Sequence, residues 1–388
     1  MEPLNYTESV VEEPAAAYKS TETYHHMALS LVPKIGPVLG KTLISYCGGA
    51  EAVFKEKKNN LLKIPGMGDL MTRELRSFTS FSAVDDELKF AEKYKIRILP
   101  YTHSAYPSRL KQALDSPLVL FVKGDADLNH HRMTGIVGTR RNTDLGTDST
   151  RNLVNGLKPY DSYIVSGLAY GIDICAHKTA IACDLPTIGV VAHGLDLIYP
   201  AKHRSIAEEM LEKGGAIVSE FFSGTPLHPD LFPRRNRIVA GMCDALIVIE
   251  SMKKGGSMIT ADIAFSYNRD VFAVPGRPGD IMSEGCNLLI KSLKAGMAES
   301  AIDVARGMNW PDPGKKSRQQ ASQAQLFSHF SSDEMSVIHH LQDKILHIDT
   351  IAEVCKIPVH RLAHILLELE MKDAIESRPG MMYRQKRA

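Results

Sequence analysis

No two cysteines in this 388-residue sequence form a CxxC pair. The six present, Cys47, Cys175, Cys183, Cys243, Cys286 and Cys355, are scattered, and no histidine set accompanies them at metal-ligand spacing. That fits free thiols in a reducing cytosol better than a disulfide framework or a zinc site. No apolar run approaches the roughly 20 residues a membrane helix needs. The start, Met1-Glu2-Pro3-Leu4, is acidic and polar, unlike a signal peptide. Charge of one sign is missing as well: 46 Lys and Arg face 45 Asp and Glu, for a net charge of +1. A nucleic-acid site must therefore be a local concentration of cations. What remains, 44% hydrophobic and 23% charged, is the composition of a globular protein, expected to be soluble and cytoplasmic. The length suggests two or three domains.

Residues 1–24 are polar, carry Glu2, Glu8, Glu12 and Glu13 among other polar residues and show no helical period, which reads as a flexible leader. Helical patterning then covers 25–85. Two segments inside it echo each other, Val32-Pro33-Lys34-Ile35-Gly36-Pro37 and Leu62-Lys63-Ile64-Pro65-Gly66-Met67-Gly68. Each is an apolar residue, a Gly/Pro turn and a following helix, the grammar of a helix-hairpin-helix. Plain turns in a small bundle would give the same pattern, and the flanks are not strongly basic.

From 86 to 310 short β-branched strands alternate with helix-patterned stretches. Strands are expected at 96–99, 118–122, 135–137, 163–165, 187–191, 216–218, 245–249 and 271–274. Nearly continuous apolar strands separated by helices predict an α/β, doubly wound, mostly parallel sheet. Residues 311–326 are rich in Pro, Gln, Ser and Lys and read as a linker. Beyond it, 327–388 returns to helices and ends in two short extended runs turning at Pro379-Gly380, a winged-helix pattern.

Ligands of open α/β sheets bind beyond the carboxyl ends of the strands. Those ends carry Gly138-Thr139-Arg140-Arg141, Ser166-Gly167, His193-Gly194-Leu195-Asp196, Ser219-Glu220 and Glu250, with Lys253-Lys254-Gly255-Gly256-Ser257 leading into a helix. Phe232-Pro233-Arg234-Arg235-Asn236-Arg237 opens another helix. Glycines, hydroxyls and cations gathered near helix N-termini make an anion-binding edge. A dinucleotide fits poorly, because the first loop lacks G-x-G-x-x-G and strand two ends in Ser166-Gly167 instead of a ribose-binding acid. Gly36 to Thr42 is one residue short of a P-loop and sits in a helical context.

A sugar-phosphate chain fits better. Arg140, Arg141, Lys202, Arg235, Arg237, Lys253 and Lys254 could neutralise successive phosphates, and Phe232 could stack on a base, the combination that holds single strands. Plain alternatives exist for each: arginines facing solvent or pairing with acids such as Asp230, and Phe232 in the core. His177, His193, Asp173 and Asp196 invite a hydrolytic reading. No nucleophile or orienting group accompanies them, and Asp173 reads equally well as a first-turn acid of the helix carrying His177. No cofactor and no metal is expected.

Taken together, Tyr106-Pro107, Asp115-Ser116-Pro117, Gly138-Thr139-Arg140, Ser166-Gly167-Leu168-Ala169, Gly171-Ile172-Asp173, Ala176-His177, Gly194-Leu195-Asp196, Tyr199-Pro200, Phe232-Pro233-x-Arg235-Asn236-Arg237, Gly256-Ser257 and Val274-Pro275-Gly276 resemble the DprA/Smf family over about 105–291. The resemblance implies an extended Rossmann fold, a helix-hairpin-helix or SAM-like domain before it and a winged helix after it. It also implies a non-enzymatic mediator of natural transformation and recombination. Such a protein binds single-stranded DNA, usually as a homodimer, loads the RecA recombinase and displaces single-strand binding protein. By that resemblance the DNA contacts are Arg140 and the 232–237 segment, and Gly255-Gly256-Ser257 helps form the pocket. The chain departs from the family at Tyr170, where Arg is common, at Ala192-His193, at His228-Pro229-Asp230, where a Lys is frequent, and at Ser251. The Tyr170 and 228–230 changes lower the local positive charge. Two rival functions are a phosphoribohydrolase-like enzyme on the same sheet, whose Pro-Gly-Gly-x-Gly-Thr loop is lacking at 254–261, and a double-stranded DNA regulator acting through the winged helix.

Overall fold

Neighbouring residues on the central strands feed two separate apolar clusters. Ile136, Ile164 and Ile247 join one cluster, whereas Val137, Val165 and Leu246 join the other. Side chains alternate across a strand, so a strand apolar at every position must be covered on both faces. Each fully buried Val, Leu or Ile contributes roughly 1.5–3 kcal/mol. The computed structural model, which describes residues 21–312, 330–341, 344–372, 374–378 and 380–386, forms two compact units divided after Trp310.

The first unit holds a nine-stranded sheet. Its strands are β1 (Ile96–Pro100), β2 (Val119–Gly124), β3 (Met133–Val137), β4 (Tyr163–Ser166), β5 (Thr187–Val190), β6 (Ala216–Ser219), β7 (Ala245–Val248), β8 (Asp270–Ala273) and β9 (Gly296–Met297), in the order β1-β2-β6-β5-β4-β3-β7-β8-β9. Strands β3 to β9 run parallel, while β2 pairs antiparallel with both β1 and β6. This is the expected α/β, mostly parallel, doubly wound sheet. The chain winds outward from β3 through β4 and β5 to β6, then returns to β7 beside β3 and winds the other way. The reversal lies between β3 and β7, where loops leaving the two strands part. Strand β9 was not expected; two residues are too few to show a period.

The helices at 21–93 do not form a separate core, contrary to the domain boundary expected at 85/86. Helix Phe81–Lys93 crosses that boundary. Met27, Leu29 and Leu43 share one cluster with Ile98, Phe121 and Ile217 of the sheet. Glu87 accepts the Ser223 N–H at 2.8 Å, and Lys41 Nζ donates to the Leu114 carbonyl at 3.0 Å. Burial draws the Lys41 pKa down to about 8. The lysine of the P-loop look-alike is thus occupied with packing the helices onto the sheet. The first described helix starts at Thr21, four residues before the expected start at 25. Residues 1–20 of the leader lie outside the described residues.

The second unit comprises helices Ser332–His340, Ile348–Cys355 and Val359–Met371 and a three-stranded antiparallel sheet in the order β10 (Ile345–His347), β12 (Met382–Gln385), β11 (Ile375–Arg378). Ser331 and Glu334 form a capping box at the first helix. Val337, Ile351, Leu362, Leu366 and Leu369 make its core. This is the expected winged helix. Most of the 311–326 linker, and Pro379 of the expected turn, fall outside the described residues. Among the described residues, no helix is long and apolar enough to cross a membrane.

Candidate nucleic-acid interface

At the winding reversal the loop after β3 is tied to the loop after β7 by the Thr139 N–H, which donates to the Glu250 carbonyl at 2.8 Å. The Glu250 carboxylate turns back to accept the Thr143 N–H at 2.9 Å, holding the start of helix Asp144–Leu157. Gly171 lets the β4 loop meet this arrangement. Its φ is +81°, and a Cβ there would collide with the Thr139 carbonyl and lie 2.7 Å from Arg140 Cα. Three loops thereby enclose a cavity of about 370 Å³, at the lower end of the size range of ligand sites.

The cavity gathers most of the residues anticipated from the loops: Gly138, Thr139, Arg140 and Arg141 after β3, Gly167 after β4, Phe232, Arg235 and Asn236 at the start of helix Leu231–Met242, and Gly255, Gly256 and Ser257 at the start of helix Gly256–Ser266. Arg140 and Arg141 are exposed at the rim. The Arg140 guanidinium lies 5.1 Å from the Phe232 ring centre. Phe232 is half-buried and belongs to the first turn of its helix. Ser257 Oγ donates to Ser251 Oγ at 2.8 Å, closing the turn beneath Gly255.

Two of the expected phosphate contacts are internal. Arg235 is 4% exposed, and its guanidinium donates to the Val190 carbonyl at 2.6 Å and to the Gly167 carbonyl. A Cβ on Gly167 would strike both this guanidinium and the Asp173 carboxylate, so glycine there makes room for the pair. Asp173 accepts N–H groups from Gly167 and Ala169; burial pushes its pKa up, against the opposing pull of Arg235, those N–H groups and Arg140. Charge at the cavity floor is therefore largely balanced within the protein. Arg237 does not reach the cavity: it pairs with buried Glu220 and donates to the Asp115 carbonyl. The reason is the setting of the helix. Gly241 abuts Leu110 and the far side meets the sheet, so only the first turn, with Phe232, Pro233 and Arg234, faces outward.

Lys202 and Lys254 are exposed but do not line the cavity, and Lys253 faces Glu284 at 3.4 Å. The structure adds Ala169, Asp173, Ser251, Met252, Ile259 and Thr260 to the lining. Thr260 could have been found from the helix period, one turn after Gly256. Met252 and Ile259 carry no chemical signal in a sequence.

The histidines that invited a hydrolytic reading are structural. His177 is buried against β5, with Nδ1 2.7 Å from Thr187 Oγ1, and burial lowers its pKa to about 3. His193 accepts the Tyr199 N–H at 3.2 Å and contacts the Gly194 carbonyl at 2.8 Å, and burial lowers its pKa too. Elsewhere, His130, His131 and Asp161 come together, with ligand-type atoms within 4.8 Å of one another. His130 Nε2 lies 2.8 Å from the Asp161 carbonyl oxygen. It must donate a proton there, so that nitrogen is no metal ligand in this arrangement.

A doubly wound sheet whose reversal opens into a glycine- and hydroxyl-lined cavity with arginines at its rim defines an α/β protein of the Rossmann-like class, its cavity where such sheets take ligands. A family model described as DNA recombination-mediator protein A matches residues 97–309, and one described as the DprA winged helix domain matches 317–381. Protein Smf of Escherichia coli (strain K12) is 33% identical over 325 residues, covering 82% of this chain and 86% of the relative. The X-ray structure of DprA from Streptococcus pneumoniae superposes with a TM-score of 0.61 at 29% identity, over 73% of this chain and 97% of that one. A Helicobacter pylori DprA structure, described as giving insight into a single-stranded DNA binding mode, matches with a TM-score of 0.50 at 28% identity, over 55% and 96%. The chain belongs to the DNA recombination-mediator protein A family, known also as DprA/Smf.

Proposed function

We propose that this protein is a single-stranded DNA-binding recombination mediator. It holds the strand across the tips of β3, β4 and β7 and does no chemistry on it. The observation that carries the reading is Arg140 beside Phe232 at the mouth of the cavity, a cation and an aromatic face within 5.1 Å of each other. A phosphate met by Arg140 and loop N–H groups, with its base on Phe232, uses the two interactions that hold single strands without regard to sequence. The single-strand binding mode ascribed to the Helicobacter pylori relative supports this. A role as binder and not catalyst is favoured by the occupation of the titratable groups around the site: Glu250 holds a helix start, Asp173 is matched by Arg235, and His193 holds the Tyr199 backbone.

Loading of the RecA recombinase, displacement of single-strand binding protein and a homodimer through the α/β unit belong to the same proposal, as does a role in natural transformation or general recombination. Gel shifts with single- and double-stranded oligonucleotides at two salt concentrations test its base. Tighter binding of the single strand at low salt is expected. Equal or weaker binding than to duplex would defeat it.

A further inference from the structure

The site offers few free cations, which raises the question of what else holds a strand there. With Arg235 bound to main-chain carbonyls and Arg237 to Glu220, the cations at the cavity rim are Arg140 and Arg141. Two exposed tyrosines border the site: Tyr199, whose ring meets Phe232, and Tyr170, between Ala169 of the cavity lining and Gly171 against Arg140. Tyr170 and Tyr199 are each 44% exposed. One exposed tyrosine is ordinary on any surface; two on segments that border the same cavity are a feature of that site.

Their placement is fixed from behind. The Tyr199 ring centre lies 6.4 Å from that of Phe232, and its backbone N–H is held by His193. Tyr170 precedes Gly171, whose backbone abuts Arg140, and its ring meets buried His203 edge-on at 4.9 Å. His203 in turn is held by the Leu168 carbonyl at 2.9 Å. The Arg140 backbone thereby abuts the Tyr170–Gly171 segment, while its guanidinium reaches the Phe232 ring.

We propose that Tyr199 and Tyr170 are further base-stacking platforms, so that Phe232, Tyr199 and Tyr170 form a track around Arg140 for separate bases of one strand. The inference rests on the single-strand reading above. The Phe232 and Tyr199 rings are tilted by 56°, which rules out a parallel clamp on one base and suits two platforms. Tyrosine suits the role, giving a rigid apolar face at low entropic cost and a hydroxyl that stays wet. An aromatic at 170 exchanges a screened contact for one that salt hardly weakens.

The test is oligo-dT binding to the full chain and to Tyr199→Leu and Tyr170→Leu variants at low and high salt. Each variant should lose at least about fivefold, the lower bound for one stacked base, at both salts and with an unchanged salt slope. Tyr→Phe variants should retain wild-type affinity. Wild-type affinity in both Leu variants, while the unaltered protein binds, overturns the track and leaves the single-strand reading standing. Failure of the unaltered protein to bind oligo-dT removes both. Should a Leu variant fold poorly, photocrosslinking of 5-iodouracil oligonucleotide to the unaltered protein decides: adducts at Tyr199 and Tyr170 support the track, and adducts confined to Phe232 overturn it.

Discussion

The guanidinium of Arg140 lies 5.1 Å from the centre of the Phe232 ring, and the two residues come from sequence positions 92 apart. The β3 loop supplies one and the first turn of helix Leu231–Met242 the other. They should act on a bound strand through different physics. Arg140→Ala removes a phosphate contact, so affinity for every oligonucleotide should fall, and the slope of log K against log salt should shrink by about 0.7, the single-strand value per phosphate. Phe232→Ala removes a stacking face, costing roughly 1–3 kcal/mol at low and high salt alike. Binding titrations across a salt series check both. An unchanged slope would take Arg140 out of the site, and a Phe232 effect that vanished at high salt would contradict stacking.

Arg237 gives the opposite expectation. Its side chain pairs with Glu220, which is itself 4% exposed, and donates to the Asp115 carbonyl. Arg237→Ala would leave that carboxylate buried without its main partner, since Arg234 stands farther off at 3.6 Å and half-exposed. Breaking such a pair costs roughly 3–5 kcal/mol. Urea unfolding should show a loss of that order, while the fraction that stays folded binds oligo-dT within a factor of about two or three. A stable variant with abolished binding would show that Arg237 touches DNA after all.

His177 predicts an acid-sensitive core. Folded, its pKa is lowered to about 3 by burial; unfolded, it returns to about 6.5. Between those values the unfolded chain binds a proton that the folded chain does not. Stability therefore falls as pH drops through about 6.5, by up to about 1.4 kcal/mol per pH unit, and this contribution ends near pH 3. His177→Gln removes the titration. Between pH 7 and 5.5 the unaltered protein should lose about 1 kcal/mol more than the variant, measured by urea unfolding at each pH. Equal losses would show that His177 is protonated in the fold.

Strand positions, the parallel sheet and the winged helix were legible because they rest on local patterns, continuous apolar strands and helical periods. The site was legible to the extent that loops at strand ends carry it: Gly138 to Arg141 and Gly255 to Ser257 both line the cavity. Burial of Arg235 and Arg237 was not legible. Charge is visible in a sequence, but its partners are not, and Glu220, Gly167 and Val190 lie 17, 68 and 45 residues away from the arginines they engage. Merging of the 21–93 helices with the sheet was hidden for the same reason. Their apolar stripes do not say whether they face one another or β1 and β2.

The winged helix should contribute little to strand binding. The exposed face of helix Val359–Met371 carries Glu368, Glu370, Leu367 and Met371, and its basic members are partly engaged. Arg361 meets Asp333 at 2.6 Å, and His364 lies 3.6 Å from Glu368. Acids on that face oppose a phosphate backbone, and apolar residues there do nothing to attract one. A chain truncated after Trp310 retains the entire nine-stranded unit and its cavity. It should bind oligo-dT within about threefold of the full chain, with the same salt slope, because Arg140, Arg141 and Phe232 are all kept. Parallel titrations of the two proteins with single- and double-stranded oligonucleotides check this. A tenfold loss confined to duplex would assign the winged helix to double-stranded DNA, and a tenfold loss on the single strand would place part of the strand site beyond the sheet.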